Sequence, residues 1–258
     1  SELTLKQLTI SQALLGADDA EPTILLLHGW GADLTLVWPL AAALAQRGYR
    51  CYTLDLPGFG HSDALPSAWT VQDYVDLVLA YMDANRLDRV HLFGHSFGGR
   101  LSIVLASDYA ERVQRVVLAN SAGIRKQPDT LTAVRQRTYK AVRSVLESVG
   151  ARKLAADLRE AYAARYGSAD YQQASPIMRE TLVKVVNQDL SQQATRIQAP
   201  TLLFWGDQDD ATPLWQGQRL EQLIPDAGLI VHEGAGHYSY LDQLQKTAHI
   251  MDHFLRQV

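Results

Sequence analysis

A serine stands between two glycines in the stretch Gly94-His95-Ser96-Phe97-Gly98. The apolar run "RVHLF" before the serine is typical of a buried strand, and "GRLSIVLASDYAER" after it has the spacing of a helix. A serine in a sharp turn from strand to helix can present its hydroxyl as a nucleophile. The flanking glycines fit this interpretation, because larger side chains would collide with the neighbouring strand and helix. A simple packing turn is the alternative interpretation.

A nucleophilic serine needs a base, and the base needs an acid that orients it. Among eight histidines, His237 is distinguished by its place in "EGAGHYSYLD", between a late strand and the last helix. The stretch "LLFWGDQDDATP" supplies three candidate acids: Asp207, Asp209 and Asp210. Serine, aspartate and histidine then follow one another in the chain order that this kind of turn requires. Each candidate follows a predicted strand, and the carboxyl ends of parallel strands form sites together.

Apolar runs bounded by turn residues alternate with amphipathic segments along most of the chain. The predicted strands are "LTLKQLTI", "TILLLH", "YRCYTLDL", "RVHLFG", "RVVLAN", "PTLLFWG" and "GLIVHE". The predicted helices cover residues 36–47, 71–85, 100–109, 214–223 and 241–256. Strands that alternate with helices predict an α/β fold, with a mostly parallel sheet covered by helices on both faces.

The alternation stops after "LANSAG" and resumes at Ala199. We predict that residues 124–196 form a helical cap inserted into a core made of residues 1–123 and 197–258. The cap segment has 13 basic and 7 acidic residues, whereas the remainder has 11 basic and 21 acidic ones. Solvated helix faces that happen to be basic are one interpretation of this surplus. Attraction of an anionic substrate or an acidic surface is the other.

Composition narrows the function classes. The 258 residues are 47% hydrophobic and 20% charged, which suits one large α/β domain or a domain with an insertion. The single cysteine, Cys51, excludes an intrachain disulfide and a cysteine-rich metal site. A formal net charge of −4 gives no reason to expect nucleic acid, and no run approaches the roughly 18 apolar residues of a membrane span. Without a secretory signal pattern, a cytoplasmic protein is expected.

We expect no cofactor and no metal. The glycine-rich turns "GWG" and "PGFG" lack the lysine of a phosphate-binding loop and the spacing of a dinucleotide site. His249 and His253 share one face of the last helix, but no acidic partner completes a metal site there.

Five motifs in order resemble the α/β-hydrolase fold family. "HGWG" resembles its oxyanion loop, "LDLPGFGHSD" the turn after the next strand and "GHSFGG" its nucleophile elbow. "WGDQDDATP" resembles the acid loop and "GAGHYS" the histidine loop, so the resemblance covers nearly the whole core. It implies an eight-stranded sheet and a catalytic triad of Ser96, Asp209 and His237.

The resemblance also implies the surroundings of the triad. The backbone N–H groups of Trp30 and Phe97 are expected to form the oxyanion hole. Trp30, Phe97 and Tyr238 are the expected substrate contacts. His28 is expected to fix the oxyanion loop, and His95 to be a structural neighbour of the nucleophile. Apolar and aromatic cap residues are predicted to roof the acyl pocket, with helix packing as the alternative: Tyr139, Tyr162, Tyr166, Tyr171, Ile177 and Met178.

A serine hydrolase that forms an acyl-enzyme is the predicted function, with carboxylic esters of small or medium acyl groups as substrates. Carbon–carbon bond hydrolases of aromatic ring-cleavage products share the fold, triad and cap, although many have Asn in place of His95. A ligand-binding receptor or scaffold with a vestigial triad is the alternative of another class. Ser96 disfavours the relatives with an aspartate nucleophile, and Asn120 stands uncharged where some relatives carry the acid. The expected partner is a small ester-like molecule, anionic if the basic cap attracts it, and the expected assembly is a monomer or small homo-oligomer.

Overall fold

The computed structural model describes residues 1–125, 130–166 and 168–257. Eight strands form one sheet in the order β1-β2-β4-β3-β5-β6-β7-β8, in which β2 is antiparallel to both of its neighbours and all other neighbouring strands are parallel. The strands are β1 (Glu2–Leu5), β2 (Leu8–Leu15), β3 (Thr23–Leu27), β4 (Arg50–Leu54), β5 (Val90–His95), β6 (Val113–Ala119), β7 (Thr201–Gly206) and β8 (Ala227–His232). The predicted eight-stranded, mostly parallel sheet is confirmed.

The first predicted strand is two strands. "LTLKQLTI" was expected to run straight, but Lys6 and Gln7 have φ angles of 49° and 67°. Two consecutive residues in the left-handed region reverse the chain, and Leu5 then pairs with Leu8 across a tight hairpin. The apolar alternation continues on both sides of the turn, which is why the sequence pattern concealed it.

Helices cover both faces of the sheet. The helices outside the predicted cap are α1 (Leu34–Ala45), α2 (Val71–Ala84), α3 (Phe97–Asp108), α9 (Leu214–Leu223), α10 (Ser239–Asp242) and α11 (Leu244–Leu255). The core of one face holds residues of α2, α3 and α9, and the core of the other holds residues of α1 and α11. Leu25 and Leu27 of β3 point into the first core, and Ile24 and Leu26 into the second. A strand buried on both sides explains the continuous apolar runs.

Between β6 and β7 the described residues form helices and no strand. These helices are α4 (Thr130–Ser148), α5 (Arg152–Tyr166), α6 (Ala169–Gln173), α7 (Pro176–Asn187) and α8 (Ser191–Ala194). The division into a core and a cap at residues 124–196 stays a prediction, and residues 126–129 and 167 of that segment lie outside the described part. In the rest of the chain as well, no described helix is long and apolar enough to cross a membrane.

Hydrogen bonds join the two ends of this helical segment to each other. The backbone N–H of Leu190 donates to the carbonyl oxygen of Gly123 at 2.8 Å, and the N–H of Arg125 donates to the Asp189 carboxylate at 2.8 Å. The guanidinium of Arg100, on α3, donates to the carbonyl oxygen of Gln188. The segment therefore leaves and re-enters the rest of the chain at one place.

Helix α7 rests on the loop before α2. The backbone N–H of Trp69 donates to the Thr181 hydroxyl at 3.1 Å, and the Lys184 ammonium donates to the carbonyl oxygen of Ala68 at 3.0 Å. Met178 lies against the same loop, since a Cβ added to Gly58 would come 2.6 Å from its sulfur. These contacts place one helix of the predicted cap above the carboxyl ends of the central strands.

Candidate active site

Ser96 occupies the sharp turn that the sequence predicts between β5 and α3. Its φ of 50° and ψ of −109° are strained for a residue with a side chain. Backbone hydrogen bonds hold the turn: the N–H of Ser96 donates to Ala119 at 3.2 Å, and its carbonyl oxygen accepts from Arg100 and Ala122. Strain fixed by the surrounding structure is typical of functional positions.

The two flanking glycines leave no room for a side chain. A Cβ on Gly98 would lie 2.2 Å from the carbonyl oxygen of Leu27. A Cβ on Gly94 would lie 2.5 Å from the carbonyl oxygen of Gly98. Both obstacles are backbone atoms, which cannot rotate away, so the tight approach of β3, β5 and α3 requires glycine.

The structure brings His237 and Asp209 together. The ring Nδ1 of His237, in the loop after β8, lies 2.9 Å from Oδ2 and 3.1 Å from Oδ1 of Asp209, in the loop after β7. The other two candidate acids lie elsewhere: Asp207 accepts from the backbone N–H of Gly234 at 2.8 Å, and Asp210 is exposed. Only Asp209 of the three can orient the imidazole.

Four further donors surround the buried carboxylate of Asp209. The backbone N–H groups of Ala211 and Thr212 each donate to Oδ1 at 2.9 Å. The Thr212 hydroxyl and the Asn120 amide reach Oδ2 at 2.7 and 2.6 Å. Burial raises the pKa of this carboxyl, but the hydrogen bond and charge of His237, with the bonds from Thr212 and Asn120, outweigh burial and lower the pKa to about 2. The aspartate is therefore an anion whenever His237 is a working base.

Asn120 is the part of the site that sequence reasoning missed. Its amide N–H groups donate to Asp209 and to the carbonyl oxygen of Gly236, and its Oδ1 accepts from the Ser239 hydroxyl at 2.6 Å. Its own carbonyl oxygen is 3.0 Å from the Thr212 hydroxyl. The sequence showed Asn120 only as an uncharged residue. The available signal was its position: a polar residue directly after a buried parallel strand, at the same sheet edge as Ser96.

The backbone N–H groups of Trp30 and Phe97 are unused. Within the described residues, neither one donates to a protein acceptor. The two loops that carry them are joined, because the N–H of Gly98 donates to the carbonyl oxygen of His28 at 3.0 Å. A Cβ on Gly29 would lie 3.2 Å from Cβ of Ser96, so this loop passes directly beside the serine. Two free N–H groups next to a serine can bind an oxyanion.

His28 fixes the loop before Trp30. Its Nε2 accepts the backbone N–H of Leu56 at 3.0 Å, which leaves the ring proton on Nδ1, 2.7 Å from the carbonyl oxygen of Gly29. Burial lowers the pKa of this imidazole, so it stays neutral. Both ring nitrogens are occupied by backbone partners, and His28 is a structural residue of the loop rather than a base.

The Ser96 hydroxyl makes no hydrogen bond to any described protein group. The neighbouring His95 already has a partner for one ring nitrogen. Its Nε2 donates to the backbone carbonyl oxygen of His237 at 2.9 Å, and the two ring centroids are 4.8 Å apart. Nε2 of His237 stays available, since Nδ1 serves Asp209. Hydrogen bonds between nucleophile and base are often long without substrate and shorten when it binds. A base oriented by an acid, a strained serine and two free N–H groups can perform acyl transfer.

Aromatic rings line the serine side of the site. The Trp30 ring meets the rings of Phe97 and Phe59 edge-on, with centroids 5.5 and 4.9 Å apart. Tyr74 packs on Phe97 from the other side at 5.0 Å. Tyr238 is 45% exposed, and its ring lies 5.4 Å from that of His237. Trp30 and Phe97 thus present apolar surface as well as N–H groups.

The predicted roof residues separate into groups. Tyr139 of α4 stacks on Tyr162 of α5 with centroids 4.0 Å apart, so these two rings serve helix packing. Tyr171 lies under the guanidinium of Arg179, 5.5 Å from its ring centroid. The side chain of Tyr166 lies outside the described part of the chain. Met178 contacts the loop after β4, at Gly58.

Across residues 1–125, 130–166 and 168–257, no three His, Cys, Asp or Glu side chains are grouped so that they could hold an ion.

Comparison with known proteins points to one family. The family model for the alpha/beta hydrolase fold matches residues 22–244. The chain is 29% identical over 244 residues to a 2-hydroxy-6-oxo-2,4-heptadienoate hydrolase of Pseudomonas putida, covering 90% of this chain and 88% of that protein. It is 25% identical over 249 residues to a pimeloyl-[acyl-carrier protein] methyl ester esterase of Aeromonas hydrophila, covering 91% and 95%.

Solved structures agree on the fold. The enol-lactonase from Burkholderia xenovorans LB400 superimposes with a TM-score of 0.76 at 24% identity, over 100% of both chains. The meta-cleavage product hydrolase from Pseudomonas fluorescens IP01 superimposes with a TM-score of 0.74 at 25% identity, over 99% of this chain and 97% of that one.

Proposed function

Since this chain belongs to the α/β hydrolase fold family and is a hydrolase, we propose that it cleaves carboxylic esters of small or medium acyl groups through Ser96, His237 and Asp209. The hydrogen bond between His237 Nδ1 and the buried Asp209 carboxylate carries this proposal. It fixes the imidazole with Nε2 free, at the sheet edge where Ser96 is presented.

The first half of the reaction acylates the enzyme. His237 Nε2 accepts the proton of the Ser96 hydroxyl as Oγ attacks the carbonyl carbon of the ester. The resulting oxyanion accepts hydrogen bonds from the N–H groups of Trp30 and Phe97. Removing one such donor typically costs about 10²–10³-fold in rate. The N-terminus of α3 points its dipole at the same charge.

The second half releases the acid. His237 returns its proton to the departing alkoxide, and the acyl group stays on Ser96. A water molecule then gives a proton to His237 and attacks the acyl carbon. As the bond from the acyl carbon to Ser96 Oγ breaks, His237 returns that proton to Oγ, and the carboxylic acid is released. Asp209 keeps its charge throughout, holds the proton on Nδ1 and stabilises the imidazolium that forms in each step.

The aromatic lining supports a limited acyl size. The rings of Trp30, Phe97 and Phe59 stand beside the proposed oxyanion hole in mutual contact. They offer apolar surface to an acyl chain and restrict its space. This surface carries no charge of its own, so it does not by itself select an anionic acyl group.

Carbon–carbon bond cleavage of an aromatic ring-cleavage product is the second candidate. The observation that favours it is the 29% identity to a 2-hydroxy-6-oxo-2,4-heptadienoate hydrolase over 90% of this chain. The same serine, base and oxyanion donors would be used. His95 before the nucleophile, where many such enzymes have Asn, counts against it.

Labelling followed by a substrate panel tests both candidates. A fluorophosphonate probe should add one adduct to Ser96, seen by mass spectrometry of the intact protein and its peptides. Ser96→Ala should take no label, and the control Ser107→Ala, at the far end of α3, should label like the parent. No adduct on the folded parent would refute the activated serine and leave a binding protein with a vestigial triad.

The substrate panel separates ester from carbon–carbon cleavage. We expect p-nitrophenyl acetate, butyrate and hexanoate to be hydrolysed with higher kcat/KM than the decanoate. Turnover of 2-hydroxy-6-oxo-2,4-heptadienoate with a kcat/KM above every ester would instead favour the second candidate. Ser96→Ala should abolish either activity.

A further inference from the structure

One face of α4, continued by Val149 directly after the helix, carries a row of apolar side chains that are open to solvent. Leu131, Val134, Val142, Val145 and Val149 are exposed to 76%, 55%, 45%, 59% and 70%. Scattered apolar residues are normal on protein surfaces, but a continuous row of them marks a contact surface. We call this row, together with Thr138, the α4 stripe.

The spacing of the α4 stripe makes it straight. Its members repeat every eleven residues: Leu131 with Val142, Val134 with Val145, and Thr138 with Val149. Such a repeat has about 3.67 residues per turn, close to the roughly 3.6 of an α-helix, so the row runs along one line of the helix. A left-handed coiled-coil partner would require about 3.5 residues per turn, whereas an eleven-residue repeat is the spacing of a right-handed one. The α4 stripe is therefore one continuous apolar line along the helix.

The contact between α4 and its neighbour uses another side of the helix. Tyr139 stacks on Tyr162 of α5, and Arg143 pairs with Glu147 on α4 itself. The α4 stripe is left open by these contacts, and α4, with 19 residues, offers a row about 28 Å long.

The segment that carries the α4 stripe is positively charged. Residues 130–166, which contain α4 and α5, have eight basic and three acidic side chains, in a chain whose net charge is −4. Arg137, Lys140, Arg152 and Lys153 are exposed. Two copies of α4 placed face to face would bring like charges together. An anionic surface complements both the apolar row and its basic surroundings.

We propose that α4 and α5 form a docking surface for an anionic lipid bilayer, with the α4 stripe inserted between headgroups and the basic side chains on the phosphates. The helix lies on the membrane and does not span it. This property is independent of the proposed ester hydrolysis, because none of its residues belongs to the candidate active site. The proposal gives the basic segment that contains α4 and α5 the role of holding the protein at a membrane surface.

Vesicle co-sedimentation of the full chain tests the docking surface. The parent should bind vesicles of phosphatidylcholine and phosphatidylglycerol, and bind phosphatidylcholine vesicles at least about tenfold more weakly. Val142→Asp combined with Val145→Asp should weaken binding to the anionic vesicles at least about tenfold, because charged side chains then face the acyl boundary.

A matched variant separates insertion from charge. Gln136→Asp combined with Ser144→Asp adds the same charge to exposed positions of α4 outside the stripe, and should keep most of the binding. An equal loss of vesicle binding in both double variants would overturn insertion of the stripe. Failure of the parent protein to bind anionic vesicles at low salt would overturn it as well. A parent dimer that V142D/V145D converts to monomer, without vesicle binding, would assign the stripe to a second copy and refute the lipid. Circular dichroism and fluorophosphonate labelling of Ser96 report folding and active-site integrity separately.

Discussion

Nε2 of His95 donates a hydrogen bond to the backbone carbonyl oxygen of His237 at 2.9 Å. The residue before Ser96 thus holds the main chain of the residue proposed as the base. Burial, with the charge of His237, lowers the pKa of His95 to about 3, so its ring is neutral. A neutral imidazole carries one N–H, and here it is on Nε2, which leaves Nδ1 without a proton. The serine turn and the histidine loop are therefore connected without the triad side chains.

His95→Phe should lower kcat about tenfold and leave KM nearly unchanged. The loss of one hydrogen bond of about 1 kcal/mol frees the His237 loop from the serine turn. Ester kinetics measure the effect, and His95→Gln, whose amide N–H can donate in the same direction, should recover part of it. A phenylalanine variant with parental kcat would show that the bond has no positioning role.

Asp209→Asn should lower kcat about 10⁴-fold with little change in KM. An amide in place of the carboxylate no longer holds the proton on Nδ1 of His237 or stabilises the imidazolium. Asp210→Asn, the exposed neighbour in the same loop, is the control and should match the parent. If both variants kept activity, another residue would have to orient the base.

Asn120→Ala should make the fold more sensitive to acid. The pKa of Asp209 is lowered to about 2, so the carboxylate stabilises the fold fully above its ordinary pKa near 4 and loses this contribution as pH falls toward 2. Without the Asn120 amide the pKa of Asp209 rises. The contribution of its carboxylate to the free energy of unfolding, about 2 kcal/mol, then becomes smaller and is lost at a higher pH. Urea unfolding from pH 7 to pH 3 measures it.

Ser239→Ala serves as the comparison for that experiment. It removes the hydroxyl on the far side of Asn120 and keeps the bond from Asn120 to Asp209. Its stability should be lower by a similar amount at every pH. An acid dependence equal to that of Asn120→Ala would contradict the assignment.

His91→Leu should reduce the loss of stability in acid. His91 of β5 is buried, neither of its ring nitrogens has a partner in the described chain, and burial lowers its pKa to about 4. The imidazole is neutral in the folded protein and takes up a proton on unfolding when the pH is below 6.5. It therefore costs no stability above pH 6.5, and up to about 3 kcal/mol as pH falls toward 4. Thermal unfolding at pH 7 and pH 4.5 should show a smaller difference for the variant. His249→Leu, an exposed histidine, should leave the difference unchanged.

Gly98→Ala should prevent assembly of the serine turn. The added methyl would lie 2.2 Å from the carbonyl oxygen of Leu27, and relief of that contact requires β3 and α3 to separate, at a cost of more than about 3 kcal/mol. Soluble yield and Tm measure the outcome. Gly228→Ala, in β8 with no atom within 4 Å of the new methyl, should behave like the parent.

The local spacing of apolar, glycine and polar residues was sufficient to predict most strands of the sheet and the residues of the turn at Ser96. The helix predicted over 214–223 is α9 itself, whereas the helix over 241–256 is interrupted at Gln243, whose φ of −124° is outside the helical range. The interruption left the apolar spacing intact, so the sequence showed one helix. The catalytic roles of Ser96, Asp209 and His237 stay predictions.

The bonds that support the site were beyond sequence reasoning. Asn120 reaches Asp209 across 89 positions of the chain, and His95 reaches His237 across 142. Such pairs depend on how neighbouring strands bring their ends together, and no periodicity within either segment records the partner. Thr212 belongs to the stretch "WGDQDDATP", but its contact with Asn120 is visible only in the folded structure.

The hydrogen bond between Leu190 and Gly123 closes the helical segment into a loop with a single base. An insertion whose entry and exit adjoin can be lengthened, shortened or exchanged for another without a change in the strand order of the host. If this segment roofs the proposed site, a foreign segment grafted between these two residues should change which molecules reach Ser96 and leave the hydrogen bonds around Asp209 as they are.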